Sequence, residues 1–123
     1  MSKKKLPISS FKYAISGLLF AFKTQKNIRF HTLIAFLVII SSILLKCSYL
    51  EITILLAMIA LVISMELGNT SIEATIDLIS LQSQPMAKIA KDVGAAAVLI
   101  SALFSLIVGL LIFLPKLLAY LKG

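Results

Sequence analysis

With 123 residues the chain has room for one domain, and a 60% hydrophobic composition with mean hydropathy +1.08 lies far above what a soluble domain carries. Lys and Arg outnumber Asp and Glu 12 to 5. Lys3, Lys4, Lys5, Lys12, Lys23, Lys26 and Arg29 all precede the first long apolar run with no acid among them, which directs the charge at anionic lipid headgroups rather than at nucleic acid. The single cysteine, Cys47, excludes an intramolecular disulfide and any multi-thiolate metal site and reads as an apolar-like residue near a helix end. The triple lysine is followed by an interrupted apolar pattern, which argues against a cleavable signal peptide.

The expected architecture is an all-α integral membrane protein, one membrane domain over 1–123. In chain order, residues 9–24 form an amphipathic helix. Phe11, Ile15, Leu18, Leu19 and Phe22 share one face, while Lys12, Ser16 and Lys23 share another. The pattern reads as a surface helix in the membrane interface, with an ordinary bundle helix as the alternative. Three transmembrane helices follow. The first, about 28–48, centres on the apolar run Thr32–Leu45, and the second, about 51–80, on Ile52–Met65 with an extension beyond the membrane. Both runs are shorter than the ~20 residues a span prefers, so His31 and Lys46 must snorkel or the helices must outrun the apolar core. The third, about 86–115, contains the charge-free run Val93–Leu114 and is expected to stop at Pro115. The basic N-terminus sets the topology by the positive-inside rule. The N-terminus and the Leu78–Pro85 turn are then cytoplasmic, and the Lys46–Glu51 turn and the C-terminus lie outside.

Some single residues carry weaker signals. His31 reads as an interface anchor, with a general-base role as the alternative. Glu51 reads as a helix-start acid. Gly94, Ala95, Ala96 and Ala97 read as small side chains that allow close helix packing.

Where the second apolar run ends, Glu66, Asn69, Glu73 and Asp77 follow at i, i+3, i+7 and i+11, within an arc of about 80° on one continuing helix. Glu66 falls about 21 Å along that helix from Ile52, inside a core ~30 Å thick and near its cytoplasmic edge. An ionisable group at that depth is a functional hypothesis by default. Across an antiparallel turn, Glu73 should oppose Lys91 and Asp77 should oppose Lys88, with Asp92 on the same face as both lysines. A salt-bridge seam stapling two helices is one reading of these charges. Glu66 and Asn69 favour another, because they have no evident cationic partner.

A carboxylate at headgroup depth can take the proton of a lipid hydroxyl, and a second, about 10 Å further out, can hold a divalent cation on a polyphosphate. A lysine between them can offset developing negative charge. That order suits phosphoryl transfer, although the chain has neither G-x-x-x-x-G-K-[ST] nor G-x-G-x-x-G.

The segment from Glu66 through Asn69 and Thr70 to Glu73, then Asp77, and the segment from Ala87 through Lys88, Lys91 and Asp92 to Leu99 resemble the prokaryotic diacylglycerol kinase and undecaprenol kinase family. The similarity runs from about Phe11 to Pro115. The resemblance implies a homotrimer of three-helix subunits in the bacterial cell membrane, each with an N-terminal surface helix, using ATP with Mg2+ to phosphorylate a lipid alcohol. It implies Glu66 as general base at the lipid, Asn69 beside it, Glu73 as a metal ligand at the ATP phosphates, Asp77 at the nucleotide, and Lys91 and Asp92 as nucleotide contacts. Gln82, Ser83 and Gln84 would lie near the nucleotide, although the family usually has a histidine where Gln84 stands. The Lys88-to-Val93 pattern and the ending Phe113–Lys116 are more similar to the undecaprenol kinases of Gram-positive bacteria, with diacylglycerol as the alternative acceptor.

One position departs from the family. Gln25, Lys26 and Asn27 stand where it reads Glu-Arg-Asn, and the missing carboxylate is a metal ligand there. An amide oxygen at Gln25 can still coordinate Mg2+ but brings no charge. A weaker enzyme, use of another ligand, and a deliberate Glu→Gln replacement all fit, as does a non-catalytic protein that binds nucleotide or lipid. A channel or transporter fits poorly, because the polar stripe stops near one membrane face.

Overall fold

The computed structural model describes residues 7–79 and 84–123, and among these the regular secondary structure is entirely helical. Four helices follow in order: α1 Pro7–Thr24, α2 Lys26–Leu44, α3 Tyr49–Ile79 and α4 Pro85–Leu121. By length and composition α2, α3 and α4 are each able to cross a membrane. At 31 and 37 residues, α3 and α4 are about 46 and 55 Å long, well beyond a ~30 Å hydrocarbon core. That excess lifts Glu73 and Asp77 away from the apolar middle of the bundle.

The connections are closed by side chains that the local sequence supplies. Gln25 leaves the helical conformation between α1 and α2, and Arg29 reaches back from α2 so that Nη1 donates to the Phe22 and Lys23 carbonyls at 2.9 and 3.1 Å. A cation on the last carbonyls of α1 answers both their unmet acceptors and the helix dipole. After α2, Lys46 takes a left-handed backbone (φ 55°), the conformation glycine usually supplies at a helix end. Ser48 and Glu51 then open α3 as a reciprocal pair. The Ser48 N–H donates to Glu51 Oε1 at 2.8 Å, and the Glu51 N–H donates to Ser48 Oγ at 3.2 Å.

Pro115 does not end α4, which continues to Leu121. Proline removes one intrahelical donor, a loss that membrane helices tolerate. The following residue also gives the continuation a tertiary anchor: Lys116 Nζ lies 3.0 Å from Glu51 Oε1.

α3 is the central element, packing along α4 and against α2, with α1 touching α2 and α3. Its buried residues Leu55, Val62, Glu66 and Thr70 lie within about 80° of one another on the helix wheel. Ile28, Ala35 and Ser42 meet them from α2, and Gly94 and Ser101 from α4. The buried hydroxyls bond within their own helices: Ser42 to the Ile39 carbonyl, Thr70 to that of Glu66, and Ser101 to that of Val98. They therefore act as small packing groups. Large apolar side chains such as Phe36, Leu44, Leu99 and Leu111 point outward, as lipid-facing residues do.

Candidate active site

The apolar seam of α3 turns polar without changing face. Glu66 follows Val62 by one turn on the buried side and is only 3% exposed. Glu73 is half-buried two turns later, and Asp77 is exposed one turn beyond that. A single helix thus carries three carboxylates along a gradient from dry to wet, as their spacing predicts.

Glu66 has a partner that the spacing on α3 could not reveal. His31 Nε2 of α2 stands 3.3 Å from Glu66 Oε1. The sign lay in α2 itself, where Ile28, His31 and Ala35 recur at i, i+3 and i+7 and so share the face turned toward α3. Glu66 thus has a histidine neighbour that the reading of α3 by itself did not supply.

One turn along, Asn69 Nδ2 donates to Glu73 Oε1 at 3.3 Å. The Asn69 Oδ1 is buried with no hydrogen-bond partner. It presses on Gly94 of α4, where an added Cβ would overlap it. Gly94 is thus the position in the Gly94–Ala97 stretch at which a close approach needs the missing side chain. An orphaned buried amide oxygen is costly and calls for an explanation.

The charges at the end of the bundle pair differently from the antiparallel count. Lys91 Nζ meets Asp77 Oδ1 at 2.6 Å, and Lys88 Nζ meets Asp92 Oδ2 at 2.6 Å along the exposed side of α4. The backbone register is as expected, since Asn69 lies against Gly94. The lysine's flexible stem instead carries its ammonium one turn past Glu73 to Asp77, and Glu73 adds to the negative field around it. Lys88 and Asp92 are one helical turn apart and satisfy each other.

Gln25 sits half-buried at the α1–α2 junction, and Gln84 is exposed at the N-terminal boundary of α4. Gln82 and Ser83 lie outside the described residues. Among the described residues no three His, Cys, Asp or Glu side chains converge as a ready-made metal cage. The donors present are oxygens, the Glu73 carboxylate and the spare Asn69 amide oxygen. That set suits a hard cation such as Mg2+, which keeps waters and substrate phosphates as its remaining ligands.

Below the polar end, a cleft of about 590 Å3 opens between α2, α3 and α4. Its wall includes Phe30, Val38, Met58, Ala102 and Phe113, and among its lining side chains only His31 and Ser105 are polar. The Ser105 hydroxyl already donates to the Ser101 carbonyl at 2.7 Å. From Ala102 to Phe113 the cleft follows about 16 Å of helix. His31 belongs both to this apolar wall and to the contact with Glu66. The buried carboxylate of Glu66 thus lies between an apolar cleft and a wetter cluster of charged side chains.

Comparison with protein families matches residues 12–113 to the family described as prokaryotic diacylglycerol kinase. The chain is 44% identical over 108 residues to the undecaprenol kinase of Bacillus subtilis, covering 88% of each protein. It is 42% identical over 111 residues to a diacylglycerol kinase of Synechocystis, covering 89% of this chain and 63% of that one. A diacylglycerol kinase of Pseudomonas aeruginosa is 38% identical over 85 residues, 69% of each.

Proposed function

Because the chain belongs to the prokaryotic diacylglycerol kinase family and is thereby a membrane-embedded lipid kinase, we propose that it transfers the γ-phosphoryl group of ATP to the hydroxyl of undecaprenol. The observation that carries this reading is Glu66, a buried carboxylate where the apolar cleft meets the polar cluster. The acceptor's hydrocarbon chain lies in the cleft and its hydroxyl reaches Glu66. Glu66 takes the hydroxyl proton as the lipid oxygen attacks the γ-phosphorus and the bond to the ADP oxygen breaks. Asn69 holds Glu73 in place beside the phosphates. Lys91, with Asp77 and Asp92, borders the nucleotide, and its ammonium offsets the charge on the transferring group. Gln84 is assigned to the nucleotide's surroundings on the family resemblance, as are Gln82 and Ser83. Bound with ATP, Mg2+ supplies neutralisation of phosphate charge; Glu73 would hold it, with Gln25 as a weaker neutral donor.

In this reading α1 lies in the cytoplasmic interface of the bacterial cell membrane. The N-terminus and active site are cytoplasmic, the C-terminus is outside, and the working unit is a homotrimer. Undecaprenol is favoured over diacylglycerol by the 44% identical relative, while the relatives named diacylglycerol kinases keep that lipid as the second reading.

The test is transfer from labelled ATP to each lipid alcohol in bilayer nanodiscs, with Glu66→Gln alongside. Undecaprenol should be phosphorylated faster than diacylglycerol, and Glu66→Gln should remove the activity while leaving the assembled protein intact. Normal turnover by Glu66→Gln would overturn the assignment of the base.

A further inference from the structure

A carboxylate that must meet a reacting hydroxyl has to be held in one rotamer, and a glutamate left to itself has three torsions to wander through. In the described structure the only ion-pair contact to Glu66 is His31. The imidazole is largely buried, its side chain 19% exposed. Its helix presents Ile28 and Ala35 to the core on the same face, and the Phe30 ring meets it edge-on at 5.8 Å between centroids. It also forms the end wall of the cleft, so it touches the base and borders the space where the acceptor's first carbons would sit.

We infer that His31 is a positioning residue for Glu66: through Nε2–H it holds the carboxylate aimed along the cleft mouth, at the hydroxyl of an incoming lipid alcohol. The inference rests on the reading of Glu66 as the base.

A purely structural role is a poor account of this pair. Burying a charged group to tie two membrane helices together gains little over an apolar contact of equal volume, and the neighbouring contacts Ile28, Ala35, Leu55 and Val62 are of that apolar kind. The separation of 3.3 Å is longer than a charge-assisted hydrogen bond. Catalytic contacts of this sort tighten when substrate closes the site.

The experiment compares His31→Phe, which keeps a ring of similar volume in the cleft wall but has no donor, with His31→Gln, whose side-chain amide reaches about as far as Nε2. Both are assayed as the full chain in nanodiscs with undecaprenol and Mg-ATP. His31→Phe should lower kcat about tenfold or more with KM for ATP unchanged, as expected when a positioned catalytic contact is lost. His31→Gln should recover most of kcat. A double-mutant cycle with Glu66→Asp, which keeps a carboxylate but withdraws it by one methylene, separates the two claims. If His31 acts through Glu66, His31→Phe adds little further loss in the Glu66→Asp background.

Wild-type kcat in His31→Phe, equal loss in Phe and Gln, or multiplicative losses in the cycle would each overturn the inference while leaving Glu66 as base. Full turnover by Glu66→Gln would instead remove the premise. If the Phe variant fails to assemble, His31→Leu, which also lacks a donor, replaces it beside His31→Gln and in the cycle with Glu66→Asp, and the same outcomes decide.

Discussion

Two stretches of α3, at its Tyr49 end and from Glu66 onward, carry acids that face basic side chains on neighbouring helices, yet they are built to opposite standards. At the Tyr49 end, Glu51 accepts from the Ser48 backbone, receives Lys116 from α4, and closes a reciprocal cap. In the other stretch, Glu66 faces His31 at 3.3 Å, and the amide oxygen of Asn69 is buried with no partner. The first has its acid engaged by both a cap and a lysine, and holds α3 to α4. The second retains capacity that a lipid hydroxyl, a cation or phosphates can use, and this difference is what separates a joint from a reactive site.

The largest effect that could break this contrast is on turnover. Glu66→Gln should reduce kcat by about 10²- to 10⁴-fold, the range for losing a general base. Glu51→Gln, which leaves the Ser48 contacts largely possible, should leave kcat near wild type and lower thermal stability slightly. Comparable losses from both, measured in one nanodisc assay, would erase the distinction between the two stretches.

A tenfold effect is expected from Gly94→Ala. The new methyl overlaps Asn69 Oδ1 and must push the amide aside, so the hold of Asn69 on Glu73 is lost. Overpacking here costs about 1 kcal/mol, and replacing glycine by alanine inside a helix returns about as much. Stability should therefore be almost unchanged while the activity at limiting Mg-ATP falls about tenfold, a loss of this size being ~1.4 kcal/mol of transition-state stabilisation. Thermal melts beside rate measurements on the same preparations make the comparison.

A smaller gain is expected from Gln25→Glu. A carboxylate at the N-terminal boundary of α2 strengthens any hold on a divalent cation, and it also suits the helix dipole by about 0.3–1 kcal/mol. The Mg2+ concentration for half-maximal rate should fall several-fold and the melting temperature rise a little. An unchanged Mg2+ dependence would show that Gln25 stands apart from the metal.

These sites were unequally legible in the sequence, for physical reasons. The spans and the Glu66–Asp77 stripe announce themselves because a helix of period 3.6 converts spacing directly into a shared face. His31 could not be paired with Glu66 in that way, because the pairing depends on how α2 is set against α3. Lys91 was placed opposite Glu73 by a backbone count that the structure upholds for Asn69 and Gly94, but a four-carbon side chain reaches a turn beyond its own Cα. Pro115 looked like a terminus from local rules. The helix runs through it because the bilayer leaves an unpaired backbone few alternatives to helix, and because Lys116 finds Glu51 across the bundle.

The smallest effect tests the quieter end of α3 and its side of the membrane together. Cys47 sits in the turn before α3, where burial first, and the charge of Glu51 second, hold its thiol above the ordinary range, with Lys116 partly opposing them. The thiolate is the reactive form, so a membrane-impermeant maleimide added to intact cells should label Cys47 slowly at neutral pH and faster as pH rises. Lys116→Met removes the opposing cation and should slow labelling further, by a few-fold at most, with little change in kinase activity. Labelling only after the membrane is opened would reverse the proposed orientation. A large loss of activity in Lys116→Met would show that the two regions of α3 are coupled, since a joint about six turns of α4 away from Gly94, and so from Asn69, should not be felt there unless the helix transmits it.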